Sequence, residues 1–233
     1  MQAPPQRLIN KVVPIEEAMA FIEDGCTLMF GGFGGVGNPP TLINEIIRKE
    51  VKELTLIGND TGFPDIGIGR IVSRGMAKKI IVSHIGSNPI AGKLMMEGKM
   101  KVEFSPQGTL VERIRAGGVG LGGILTDVGL DSMVEEGKQK ITVAGKDYLV
   151  ETALTADVSI VYAKKADTFG NLIYETSARN TNPLVAMAGK WTIAEVEEIV
   201  EVGELNPEEI ITPGIYVDRV VKSKGVDWKW AWE

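Results

Sequence analysis

Hydrophobic and polar positions in the first half of the chain predict strands and helices in alternation. Short apolar runs are typical of strands that are buried on both faces of a parallel sheet. The predicted strands lie at residues 26–30, 54–58, 79–83 and 101–104. Helical periodicity predicts helices at residues 14–23, 41–49, 90–97 and 107–116. Because this alternation is typical of βαβ units, we expect an α/β fold with an open, mainly parallel sheet and flanking helices.

The second half of the chain contains segments that favour antiparallel pairing. A glycine turn at residues 144–147 separates two apolar runs and predicts a hairpin over residues 141–150,. Residues 158–163 and 172–175 predict a second strand pair, and residues 191–200 predict a late strand rich in β-branched side chains,. We therefore expect a mixed sheet in one domain over residues 1–222, with no internal repeat.

The last segment, residues 223–233, carries three tryptophans at alternating positions, namely Trp228, Trp230 and Trp232. Three exposed indole rings on one face would be unfavourable in water, which favours a tail that docks on the domain. The alternative is a poorly ordered end, which is common at chain termini. The pattern alone does not decide between the two.

Charge and composition limit the classes of partner. The 233 residues carry a net charge of −6, so we expect no nucleic acid partner. No apolar run is long enough to span a membrane, and the first residues lack the apolar region of a secretory signal,. A single cysteine, Cys26, excludes an intrachain disulfide and fits a reducing compartment,. We expect a soluble, cytoplasmic protein without membrane contacts.

The loop after the first predicted strand is the most distinctive local pattern, because five of its seven residues are glycine. Glycine lets the backbone approach a ligand closely, and the N-terminus of the following helix favours an anion. We therefore expect the loop to contact a ligand and not only to form a turn. Its residues are Gly31, Gly32, Phe33, Gly34, Gly35, Val36 and Gly37.

Three of these glycines, Gly32, Gly34 and Gly37, also match the G-x-G-x-x-G pattern of dinucleotide-binding folds,. Two features argue against that function. The residues Asn38-Pro39-Pro40 follow the last glycine, whereas the pattern needs its third glycine packed inside the helix,. In addition, no acidic residue ends the second strand at the expected distance,. A nicotinamide-dependent oxidoreductase domain is kept as an alternative.

The glycine loop is part of a longer, collinear set of motifs between residues 13 and 222. This set resembles the A (alpha) subunits of family I CoA-transferases, and it is most similar to the acetate/acetoacetate enzymes. Coverage of nearly the whole chain makes the resemblance more specific than any single glycine motif. The further motifs are Asp24-Gly25, Asn59-Asp60, Ser-His-Ile-Gly-Ser-Asn-Pro at 83–89, Pro-Gln-Gly-Thr-Leu at 106–110, Glu-Arg-Ile-Arg-Ala-Gly-Gly at 112–118, Ala166-Asp167, Gly170-Asn171 and Ser-Ala-Arg-Asn at 177–180.

The resemblance implies a ping-pong transfer of coenzyme A between a short-chain or 3-oxoacyl-CoA and a carboxylic acid. Coenzyme A is then a substrate, and no cofactor is permanently bound. The family's nucleophile is a glutamate in a Ser-Glu-Asn-Gly-type motif of the B subunit, and this chain contains no Glu-Asn dipeptide. We therefore expect an A subunit that is inactive alone and works with a B (beta) subunit as an α2β2 heterotetramer. A non-catalytic CoA-binding regulator of the same fold is the second alternative.

Some polar residues are candidates for the site. The resemblance places Gln107 at the active site, where its amide would donate to the oxyanion of acyl transfer, whereas the alternative is a structural role at a helix start. Asn59 and Asp60 end a predicted parallel strand, at the edge where such sheets bind ligands, or they are turn residues. Arg179 and Asn180 either contact substrate or partner, or lie in a solvated turn.

No metal site is predicted. The single histidine, His84, ends a strand without a cysteine or acidic cluster nearby, which is more typical of a structural histidine than of a ligand,. Cys26 opens a buried strand and is expected to pack as a small apolar side chain.

Overall fold

The computed structural model describes residues 10–228, which contain two sheets and the helices packed around the larger one. In chain order the strands are β1 (Thr27–Phe30), β2 (Leu54–Ile57), β3 (Ala77–Val82), β4 (Lys101–Phe104), β5 (Gly123–Thr126), β6 (Lys140–Val143), β7 (Lys146–Thr152), β8 (Ala156–Asp167), β9 (Leu172–Ile173), β10 (Gly189–Val200) and β11 (Arg219–Lys222). The α-helices are α1 (Ile15–Ala18), α2 (Pro40–Arg48), α3 (Gly69–Ser73), α4 (Pro89–Met96), α5 (Gln107–Gly118) and α6 (Asn182–Ala188).

The larger sheet has the order β11-β10-β8-β1-β2-β3-β4, and all of these neighbours are parallel. Strand β9 pairs antiparallel with β8, so the mainly parallel mixed sheet is confirmed. The chain builds outward from β1 through β4 and then returns to β8 on the other side of β1. Strand order therefore reverses next to β1, and ligand sites of open α/β sheets lie at such a reversal.

The predicted hairpin forms, but it belongs to a different sheet. Strands β6 and β7 pair antiparallel, and β7 also pairs with β5, which gives a separate three-stranded sheet within the described residues. Its glycine turn contains Ala144 and Gly145, both with positive φ, as a two-residue hairpin turn requires,. Strand β9, and not this hairpin, is the antiparallel member of the main sheet.

Both faces of the main sheet are buried, as the continuous apolar runs predict. Leu28 and Phe30 of β1 pack in one core cluster with Leu42 of α2, whereas Met29 packs in a second cluster with Leu110 of α5. Successive side chains of a strand point to opposite faces. A strand without alternation is therefore expected where helices cover both sides.

The helices differ from the prediction in three places, and one of them is α6 (Asn182–Ala188), which the sequence pattern does not predict. The first predicted helix is divided into α1 and a 3₁₀ turn at Met19–Phe21. Helix α3 is not predicted, because it begins at a glycine and no side chain within residues 10–228 caps its start,. No helix in this described range is long and apolar enough to cross a membrane.

The tail docks through Trp228, whose side chain is buried. Its ring is perpendicular to that of Tyr162, with 5.1 Å between the centroids, and its Nε1–H donates to the carbonyl oxygen of Asn38 at 2.9 Å. This residue fits the docked alternative, whereas Trp230 and Trp232 lie outside the described residues.

Glu195 of β10 is a buried carboxyl group at the junction of the tail and α2. Its Oε2 accepts the N–H of Leu42 at 3.1 Å, and its Oε1 accepts the hydroxyl of Ser223 at 2.5 Å. Burial disfavours the charged form and raises the pKa of Glu195 from 4.5 to about 7,. Between these two values the folded chain holds a proton that the unfolded chain releases. The free energy of unfolding therefore falls as the pH rises through that window.

We expect Glu195→Gln to remove most of this pH dependence. Glutamine keeps an acceptor for Leu42 and a donor for Ser223, and it has no charge to desolvate. At about pH 8 the variant should exceed the native chain in stability by about 2–3 kcal/mol, and at about pH 5 the two should be similar. Urea unfolding at both pH values measures this, with exposed Glu198→Gln on the same strand as the control. An unchanged pH slope in Glu195→Gln would contradict the expectation.

Candidate functional site

Polar residues from neighbouring strands meet at the carboxyl edge of the main sheet. The glycine loop follows β1, Asn59 and Asp60 follow β2, Ser83 follows β3, and Gln107 begins the helix after β4. A cavity of about 410 Å³ opens between them. Its lining residues are Phe33, Gly34, Asn59, Asp60, Phe63, Ser83, His84, Ser87 and Gln107.

The structure brings four of the nine predicted site residues together at this cavity: Phe33, Gly34, Asn59 and Gln107. The other five belong to the same loop but do not line the cavity, namely Gly31, Gly32, Gly35, Val36 and Gly37. Asp60, which the sequence left as either a ligand-edge or a turn residue, also lines the cavity.

The glycine loop is a tight two-residue turn. Phe33 and Val36 exchange backbone hydrogen bonds of 2.9 and 3.0 Å, and Gly34 and Gly35 between them have φ angles of 55° and 92°. Glycine adopts positive φ values at little cost, so a turn with two successive positive φ values favours a Gly-Gly pair. The amide of Gly34 is directed inward to Asp60 at 2.8 Å. The loop therefore presents the ring of Phe33, 48% exposed, where the sequence suggested backbone amides.

A second turn of the same local pattern follows β2. Gly62-Phe63 and Ile66-Gly67 repeat the Gly-Phe and Val-Gly ends of the first turn, and Phe63 and Ile66 pair across it. Both phenylalanines line the cavity, whereas Ile66 packs in a cluster with Trp228. The two central residues differ between the two turns, Gly-Gly in one and Pro-Asp in the other.

Three buried or half-buried asparagines hold the first turn in place. The Oδ1 of Asn180 accepts the N–H of Gly32 at 3.0 Å, and the Nδ2 of Asn182 donates to the carbonyl of Gly37 at 3.0 Å. The Nδ2 of Asn38 donates to the carbonyl of the glycine that follows β1, at 2.6 Å. Asn180 is thus a support for the loop and not a solvated turn residue. Asn38 and Asn182 were not identified from the sequence.

Gln107, Asn59 and Asp60 form a directed chain of hydrogen bonds. The Nε2 of Gln107 donates to Oδ1 of Asn59 at 2.8 Å, and Nδ2 of Asn59 donates to Oδ2 of Asp60 at 2.8 Å. The Gln107 side chain thus contacts Asn59, and no side chain within residues 10–228 caps α5. A primary amide has two N–H groups, so one on Nε2 remains for a ligand.

The other titratable candidates are placed as follows. His84 is exposed at the cavity rim, and its backbone forms a parallel bridge with Asp60. Cys26 is half-buried before β1, and burial raises the pKa of its thiol. Within the described range, no group of three His, Cys, Asp or Glu side chains is arranged to hold a metal ion.

The local geometry also explains why the dinucleotide pattern is a chance match. A dinucleotide site needs a helix that starts at the glycine loop with free amides directed at the pyrophosphate. Here α2 starts only at Pro40, after an extended Pro39, and the amides of Gly32 and Gly34 are bonded to Asn180 and Asp60.

Comparison with known proteins gives a consistent result. The sequence model of the coenzyme A transferase family matches residues 12–223. A Bacillus subtilis (strain 168) protein described as a probable coenzyme A transferase subunit alpha is 60% identical over 225 residues, which is 96% of this chain and 98% of the relative. The alpha subunit of the acetate CoA-transferase of Escherichia coli (strain K12) is 48% identical over 215 residues, which is 92% and 98% of the two chains.

The fold is shared with solved structures. The acyl-CoA transferase YdiF from Escherichia coli O157:H7 superimposes with a TM-score of 0.81 at 24% identity. The match covers 97% of this chain but 48% of that one. This chain therefore has the fold of about half of that longer chain.

Proposed function

Because this chain belongs to the coenzyme A transferase family, we propose that it is the A subunit of an enzyme that exchanges coenzyme A between acetoacetyl-CoA and acetate. That the chain is a subunit of a coenzyme A transferase follows from its alpha-subunit relatives. The proposal adds three points: the acid pair, the division of roles between the subunits, and an α2β2 assembly with B subunits.

The observation that carries the proposal is the state of the carboxylate at the cavity. Among residues 10–228, Asp60 is the one carboxylate that lines it, and Asp60 already accepts hydrogen bonds from Gly34, Gly62 and Asn59. A carboxylate held in this way is a poor nucleophile because its lone pairs are engaged. A transfer through an acyl-carboxylate intermediate therefore needs a carboxylate from a second chain, which supports the B subunit as its source.

In the proposed reaction the partner's glutamate carboxylate attacks the thioester carbon of the acyl-CoA. The C–S bond breaks, and an enzyme anhydride and the CoA thiolate form. The thiolate then attacks the glutamyl carbonyl, which releases the first acid and leaves a glutamyl-CoA thioester. The acceptor acid reverses these steps and leaves as its own CoA ester. Each addition step places negative charge on a carbonyl oxygen, which hydrogen-bond donors stabilise.

This chain's residues would serve that reaction in two ways. The free N–H of Gln107 would donate to the developing oxyanion, with its amide held by Asn59. The rings of Phe33 and Phe63 would form an apolar wall beside the reacting groups. Because an anhydride is hydrolysed by water, an apolar wall favours transfer over hydrolysis.

The test is reconstitution. The purified chain alone should transfer no coenzyme A from acetoacetyl-CoA to acetate, whereas the chain mixed with a B subunit should. Butyrate and succinate as alternative acceptors identify the acid pair, and light scattering of the mixture should give the mass of an α2β2 complex. Transfer by the chain alone, free of B subunit, would overturn the division of roles. Binding of NAD but not of coenzyme A by the mixture would revive the oxidoreductase alternative.

A further inference from the structure

Asp60 lies where three features meet: the glycine loop, the second turn at residues 62–67, and the hydrogen bonds that connect Gln107 to Asn59. Its Oδ2 accepts the N–H of Gly34 at 2.8 Å, and its Oδ1 accepts the N–H of Gly62 at 2.7 Å. The same Oδ2 accepts a hydrogen bond from Nδ2 of Asn59, and Oδ1 of Asn59 in turn accepts one from Nε2 of Gln107. One buried carboxylate therefore connects both turns at the cavity wall to the amide that we place at the oxyanion.

The chemistry of this carboxylate determines which group donates in each hydrogen bond between Asp60, Asn59 and Gln107. An ionised carboxylate accepts hydrogen bonds but donates none, whereas a primary amide has one accepting end and one donating end. Facing Asp60, Asn59 must therefore turn its Nδ2 inward and its Oδ1 toward Gln107. Gln107 must then turn its Nε2 toward Asn59. The second N–H is on that same Nε2, so the donating end of Gln107 lies at the cavity.

We propose that Asp60 is a positioning residue that sets the polarity of the Asn59–Gln107 amide pair, so that an N–H and not a carbonyl oxygen faces the reacting acyl group. The inference deepens the function proposed above, since it rests on the oxyanion role of Gln107. An amide at position 60 would let both neighbouring amides reverse. The carbonyl oxygen of Gln107 would then face the oxyanion and repel it.

The chain contains a matched control carboxylate. Asp167 is also buried, and its Oδ1 accepts the N–H groups of Phe169 and Asn171 at 3.1 and 3.0 Å. Its Oδ2 accepts Nδ2 of Asn171 at 2.7 Å. The donor set is therefore the same as at Asp60, two backbone N–H groups and one asparagine amide. Asp167 does not line the cavity.

The test is a double-mutant cycle in the assembled complex with the B subunit. Asp60→Asn should lower kcat by about 10- to 100-fold with little change in the KM for acyl-CoA, because the donor is misplaced in an otherwise intact cavity. In a Gln107→Ala background the same change should lower kcat by less than about threefold, since the group it positions is gone. Asp167→Asn should lower Tm to a similar extent and leave kcat near the native value. Equal fold-losses in both backgrounds would overturn the inference.

A second measurement does not depend on activity. In the ¹⁵N-labelled full chain, the side-chain NH2 resonances of Gln107 should move in Asp60→Asn and stay in place in Asp167→Asn. Unmoved resonances in Asp60→Asn would overturn the positioning role, whereas an inactive native complex with moved resonances would overturn only the proposed function. If Asp60→Asn does not fold, Asp60→Glu and Asp60→Gln replace it. The glutamate and glutamine side chains have equal length. Because the glutamate carboxylate only accepts hydrogen bonds, Asp60→Glu should retain a higher kcat than Asp60→Gln.

Discussion

Gln107→Ala should lower the kcat of the assembled enzyme by about 10²–10³ and leave the KM for acyl-CoA nearly unchanged. The side chain would donate to an oxygen that becomes negative only as the tetrahedral species forms, so its loss is felt in the transition state and little in the bound substrate. Initial rates over a range of acyl-CoA concentrations, at saturating acetate, separate the two constants.

Two further variants distinguish this role from a structural one. Gln107→Glu should be slower than Gln107→Ala, because it places a negative charge beside one that is developing. Gln139→Ala, at the other glutamine within residues 10–228, should retain native turnover. A structural role at the start of α5 predicts a loss of about 1 kcal/mol in stability and near-native turnover in both position-107 variants. That pattern would remove Gln107 from the reaction.

The main sheet could be predicted from the sequence because its strands obey a simple physical rule. A strand such as β1, with Leu28, Met29 and Phe30 all buried, reads as a continuous apolar run only if both faces are covered,. Short elements could not be predicted, because they contain too few residues to show a pattern. Helix α3 buries Ile71 and Val72 in the core, but a helix of five residues is too short to show periodicity,.

The site could be predicted only in part, because its contacts join distant positions. The glycine loop and Gln107 were recognisable as motifs, yet the bond that fixes Gly32 comes from Asn180, 148 residues away. Nothing local to Asn180 or Asn182 distinguishes a loop support from an ordinary turn residue. The polarity of the amide chain likewise depends on which side chain faces Asp60, and only the three-dimensional arrangement shows this.

Trp228→Ala should destabilise the chain by about 3–5 kcal/mol, which is the usual loss for a large buried aromatic side chain. The indole is buried against Tyr162, and its N–H satisfies the carbonyl of Asn38. It also lies beside the turns that carry the cavity, since it belongs to one buried cluster with Ile66, and Val36 of the glycine loop packs against that cluster. The variant should therefore lose stability and also lose order at the cavity wall. Urea unfolding measures the first effect, and exchange of the Val36 amide, which donates to the carbonyl oxygen of Phe33, measures the second.

Two controls separate these contributions. Trp228→Phe keeps an aromatic ring but leaves the Asn38 carbonyl without its donor, so it should lose about 1–3 kcal/mol. Trp191→Ala removes an indole that is 36% exposed and whose ring centroid lies 4.5 Å from that of Phe21. It should cost less than Trp228→Ala because less apolar surface is buried. If Trp228→Ala unfolds at the native urea concentration, the tail does not hold the turns. The order of the glycine loop would then come from its asparagine contacts.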